Sequence, residues 1–136
     1  MDPNNESPAN ITRPKEVTNG VWLLSLSLLI GGVRSAIELK SKVTGVYYLV
    51  GLLLLLLMLG FFFFFVFKVS RGRNWARIIL LLLLILGLVA GVPAYIQEFR
   101  TNLVHGSVTL LIALLQVLGT GLLFMPKANG WFGKRT

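Results

Sequence analysis

Cysteine is absent from the chain, acidic side chains number five and there is a single histidine in 136 residues. Without cysteine there is no disulfide, no thiolate metal site and no thiol redox couple. Three of the acids, Asp2, Glu6 and Glu16, fall in the first sixteen residues, which leaves Glu38 and Glu98 for all the rest. No phosphate-cradling glycine loop, no serine nucleophile beside a credible base and no metal-ligand cluster can be assembled from what remains. The expectation is a protein that is not an enzyme and that carries no cofactor and no metal.

Charge of either sign is scarce, at 13% of residues, against 55% that are hydrophobic. A soluble domain this small keeps too much surface exposed to hide that many apolar side chains. Lipid is therefore the expected solvent. The net charge of +8 would point to nucleic acid if it were spread over a soluble surface, but Lys and Arg cluster in short segments between apolar runs. That placement excludes nucleic acid as the expected partner and points to a bilayer with anionic headgroups. Heptad, collagen and solenoid periods are also missing, and the runs Leu52 to Leu57 and Phe61 to Phe65 read as lipid-compatible filler.

What is present is a set of four apolar segments, each near the ~20 residues that cross a hydrocarbon layer of ~30 Å. They run at about 17–37, 43–67, 75–96 and 104–125. The first is the weakest, diluted by Ser25, Ser27, Gly31 and Gly32 and with Arg34 near its end. The fold class that follows is all-α, an integral membrane bundle of four transmembrane helices. Asn19 and Asn74 are candidate caps for the first and third helices, and Gly72 can turn the chain between the second and third. Residues 1–16 read as a disordered tail without the basic start and cleavage site of a secretory signal, and 126–136 as a short basic tail.

Orientation follows from Lys and Arg counted on alternate sides. Arg13, Lys15, Lys68, Arg71, Arg73, Arg77, Lys127, Lys134 and Arg135 make nine on one side, against Arg34, Lys40, Lys42 and Arg100 on the other. The positive-inside rule then puts both termini and the middle loop in the cytoplasm. The glycosylation pattern Asn10-Ile11-Thr12 falls on that cytoplasmic tail, where it has no acceptor role.

The most distinctive local string is Gly72-Arg73-Asn74-Trp75-Ala76-Arg77, with Trp131-Phe132 in the C-terminal tail. In this the chain resembles a group of uncharacterised small bacterial inner-membrane proteins in which a GRNWAR-like loop joins the second and third of four helices. The likeness covers the arrangement of helices two to four, and its sharp part is those six residues. It implies a four-helix fold and an inner-membrane address, and it transfers no catalytic or binding residue. Physically, Trp75 suits the headgroup level while Arg71, Arg73 and Arg77 suit phosphates, so these four are the candidate contacts to lipid or to a partner.

His105, Thr109, Gln116 and Thr120 lie at spacings of four, seven and four, which puts them on one helical face. A glutamine facing lipid is costly, so this face is expected to point into the bundle or into a homo-oligomer or other membrane-protein interface. Arg34 and Glu38 read as a local charge pair at the external surface. Gly87 and Gly91 form a G-x-x-x-G that permits close helix approach, and Pro93 is a candidate kink. The functional expectation is a non-enzymatic accessory or structural membrane component. The alternative is a small oligomeric transporter or channel, although the embedded glutamate of small multidrug exporters has no counterpart in the middle of the first helix.

Overall fold

Long stretches of Leu, Ile, Val and Phe offer the backbone no side-chain partner, so its N–H and C=O groups satisfy one another as helices. In a computed structural model, which describes residues 12–133, the chain forms α1 (Lys15–Lys42), α2 (Val46–Ser70), α3 (Asn74–Thr101), α4 (Leu103–Leu123) and α5 (Pro126–Gly133). The fold is all-α, and α1 to α4 are long and apolar enough to cross a membrane. At 1.5 Å per residue they measure roughly 30 to 40 Å. The expected tail up to position 11, including Asn10 and Ile11, lies outside the described residues, as do Lys134 and Arg135.

The turns are made by particular residues. After α1, Val43 is extended and Gly45, at φ 63°, starts α2. Gly72, at φ 82°, turns the chain out of α2, and only glycine takes that conformation without strain. Between α3 and α4 stands one residue, Asn102, whose Oδ1 accepts hydrogen bonds from the N–H groups of Val104 (3.0 Å) and His105 (3.3 Å). This is the side-chain N-cap that sequence reading did not single out.

Both asparagines expected to cap helices lie elsewhere. Helix α1 begins at Lys15, so Asn19 sits inside it. The cap position of α3 is Arg73, and Asn74 is the first helical residue, with its Oδ1 taken by Arg77 Nε at 2.6 Å. Helix α4 stops at Leu123, two residues before the expected Met125, because Phe124 and Met125 turn back onto Gly121 and Leu122. The expected C-terminal tail is helical from Pro126, a residue whose missing N–H costs nothing at a helix start.

Short connections make neighbouring helices antiparallel, and packing of α1 on α2, α2 on α3, α3 on α4 and α4 on α1 closes the ring. The start of α1, the α2–α3 turn, the end of α4 and α5 share one end, here the proximal end. The α1–α2 and α3–α4 joints share the distal end. The apolar core is gathered proximally, where Val17, Phe65, Val66, Val69, Ala76 and Leu123 close around Ala128, Trp131 and Phe132 of α5. Leu24 and Leu80 extend this core, and beyond them what is buried is small or polar: Ser27, Gly32 and Gly106.

Glycine sets the closest helix crossing. A Cβ on Gly20 would stand 2.7 Å from the Gly119 carbonyl oxygen, and one on Gly119 would stand 3.0 Å from that of Gly20, so α1 and α4 meet backbone to backbone. The G-x-x-x-G of α3 does not serve this purpose. Nothing lies within 4 Å of a Cβ at Gly87, and Gly91 is covered by the ring of Tyr95 from its own helix. Gly20→Ala should therefore cost about 1 to 3 kcal/mol by overpacking. Gly121→Ala, with open space at its Cβ, should cost nothing. Thermal unfolding of the two variants in mild detergent distinguishes them, and equal midpoints would refute the crossing.

Candidate functional site

Charge is rare in the long helices, so the place where three of their charged side chains meet is the first candidate. Arg34 lies eight residues before the end of α1, about 12 Å in along the axis. Its Nε donates to Glu38 Oε1 at 2.9 Å, one turn away, and its Nη2 pairs with Glu98 Oε2 of α3 at 2.9 Å. Its Nη1 donates to the Thr109 hydroxyl of α4, which in turn donates to Glu98 Oε2. One guanidinium thus binds three helices together. Its side chain keeps 17% of its exposure, against 31% for Glu98, so the cluster is partly wet.

The expected local pair of Arg34 and Glu38 is present, and the structure adds partners from two other helices. Glu38 is Arg34's nearest partner in sequence, but Glu98 is the residue that makes the cluster a tertiary one. A signal for it existed: Glu98 and Arg34 both lie near the distal ends of helices that short turns bring together. At the rim, Lys42 approaches Glu38 only to 3.9 Å and is exposed.

The polar face expected on α4 is divided by the structure. Thr109 belongs to the Arg34 cluster. Gln116 is half-buried and Thr120 is 2% exposed, and both line a cavity in the middle of the bundle with Ser27 of α1 and Tyr95 of α3. His105, in the first turn of α4, is exposed and does not join the interior face. A second cavity toward the distal end shares Ser27 and Gln116 and reaches Ser35, so small polar groups continue from mid-bundle toward the Arg34 cluster. Among the described residues no group of three His, Cys, Asp or Glu is arranged to hold a metal ion.

The residues of the α2–α3 turn do not act together. Arg73 is exposed, Arg71 lies over the Phe67 ring at 4.3 Å, and Trp75 meets Phe65 edge to face while remaining 45% exposed. Arg77 differs from them in its contacts within the chain. Its Nη1 donates to the Leu123 carbonyl (3.0 Å) and to Asn129 Oδ1 (2.5 Å), and its guanidinium lies over Phe124 and Phe132. It satisfies an end carbonyl of α4 and holds α5 in place, a favourable position for a cation.

No protein-family model matches the chain, and no curated protein and no solved structure matches it.

The Arg34 cluster makes a quantitative demand. Arg34→Gln leaves Glu98 without its cation and Glu38 with only the exposed Lys42, whereas Glu98→Gln leaves Arg34 its bond to Glu38, so the first change should destabilise more. The double variant should lose less than the sum, with a coupling of about 1 kcal/mol, in the range for polar contacts between membrane helices. Reversible unfolding in mixed micelles measures the cycle, and strict additivity would show that Arg34 and Glu98 do not interact.

Proposed function

We propose that this chain is a multi-pass protein of the bacterial inner membrane, with both termini in the cytoplasm, that acts as a non-enzymatic accessory or structural component. The observation that carries the membrane placement is the outer surface. Trp22 (71% exposed), Leu57 (62%), Val89 (68%) and Val104 (71%) stand on four different helices, and such side chains continue along each. An exposed apolar surface of that extent on a soluble monomer would aggregate, whereas hydrocarbon is a fitting neighbour for it.

The proposed orientation rests on the basic residues. The middle loop brings Lys68, Arg71 and Arg73 to the proximal end, beside Lys15 and Lys127. Together with Arg13 and Arg77 these outnumber the four distal cations, Arg34, Lys40, Lys42 and Arg100. Positive charge inside then means the proximal end inside. Arg71, Arg73 and Trp75 are the side chains that reach anionic headgroups or a cytoplasmic partner under this reading. The bacterial inner-membrane address draws its support from the GRNWAR-like loop at the same end.

The second reading, a small oligomeric transporter or channel, is favoured by one observation: the polar side chains from Thr120 and Gln116 to Thr109 and Arg34 lie along the bundle interior. The sealed proximal core opposes passage through one copy, so this reading requires several copies or a rearranged bundle.

Two measurements test these readings. The chain should remain in the membrane pellet after a carbonate wash, and a C-terminal fusion should be active with a cytoplasmic reporter and silent with a periplasmic one. The opposite reporter pattern would reverse the orientation, and release by carbonate would remove the membrane placement. Solute or ion flux in proteoliposomes that is lost in Gln116→Leu would replace the accessory role with transport.

A further inference from the structure

The mid-bundle cavity has features that packing alone does not explain. It measures about 160 Å³ and is bounded by all four long helices. Apart from Ser27, whose hydroxyl donates to the Leu24 carbonyl at 2.8 Å, its polar side chains are Tyr95, Gln116 and Thr120. None of these three has a side-chain hydrogen-bond partner among the described residues. Thr120 is 2% exposed, and Gln116 and Tyr95 are half-buried. A polar group without a protein partner favours a neighbour that supplies one, and three such groups converge on this one space.

Glycine contributes to the same space. Gly87 lines it, and the absence of a side chain at Gly91 is what lets the Tyr95 ring fold back along α3, since a Cβ there would stand 2.6 Å from the Tyr95 hydroxyl. The two glycines that fail to serve as a helix-docking motif thereby shape a cavity wall.

From these observations we propose that the cavity is a binding site for one small uncharged molecule of the phenol class, a single ring bearing a hydroxyl. Size sets the first limit, because a cavity of about 150 Å³ is known to hold benzene. Charge sets the second: none of the lining side chains is formally charged, so an ion entering would lose its hydration without a counterion. Chemistry sets the third. The walls are leucine, valine and phenylalanine, which suit a ring, while Gln116 offers both an amide donor and a carbonyl acceptor, and the Thr120 and Tyr95 hydroxyls do the same. A rigid ring also loses no torsional freedom on entry. The route in is lateral. A groove on the outside of α3 and α4 shares Leu84, Leu88 and Thr120 with the cavity, so a ligand soluble in hydrocarbon enters between those helices without crossing either end.

The test uses the full chain in mild detergent, with p-cresol as probe and toluene, the same molecule without its hydroxyl, as control. Calorimetric titration should give saturable binding of one p-cresol per chain, at least tenfold tighter than toluene. The double variant Gln116→Leu, Thr120→Val should lose at least tenfold in p-cresol affinity and retain its affinity for toluene. Gly87→Leu, at a position with open space for its side chain, should fold and weaken both ligands by filling the cavity; it keeps the test decisive if the double variant does not fold. Equal affinities for the two probes, unchanged p-cresol binding in the variants, or no saturable binding because water alone serves the polar groups would each overturn the assignment.

Discussion

A side chain such as Leu57 or Val89 at mid-helix and more than half exposed sets the terms for the rest of this molecule. Once hydrocarbon is the neighbour that surface requires, burying more leucine between the helices brings no gain, because lipid tails are as apolar as leucine. Association must then come from close packing and hydrogen bonds. The interior conforms: α1 meets α4 through Gly20 and Gly119, Leu59 fills the space at Gly32, and Arg34 joins three helices through Glu38, Glu98 and Thr109.

The two ends solve different problems. At the proximal end, the chain after α4 folds back as α5 and lays Trp131 and Phe132 into an apolar plug, with Arg77 holding the junction through a carbonyl, an asparagine and two rings. At the distal end no such helix exists among the described residues, and a partly wet ionic cluster ties the helices instead. Between them lie the cavities. The bundle is therefore tight and dry at one end and looser and more polar toward the other, an asymmetry that suits a site reached from the side or from the distal face.

Much of this was legible in the sequence. Apolar runs such as Leu52 to Leu57, within a segment long enough to cross a membrane, read as helix, and Gly72 marks its turn plainly. Spacing placed Thr109, Gln116 and Thr120 on one face, and the position of His105 at the start of the fourth segment already marked it as a partly wet side chain near the outer interface. Composition hid the more specific features. Glycine is common in such helices, so nothing distinguished Gly20 and Gly119, which pack, from Gly87 and Gly91, which do not dock another helix. Asn74 looked like a cap because caps are local, whereas its actual partner, Arg77, is itself directed by α4 and α5. The partnership of Arg34 with Glu98 spans 64 positions of sequence, and only the closure of the ring reveals it.

Because the chain has no cysteine, one introduced at any position is a unique probe. Spin labels at Leu57→Cys and Val89→Cys, measured in reconstituted bilayers for collisions with oxygen and with a water-soluble nickel chelate, test the central claim most directly. The account predicts high oxygen and low nickel accessibility at both. Nickel accessibility at Leu57 and Val89 equal to that of a label at exposed Arg73 would show that water, and not hydrocarbon, surrounds these helices.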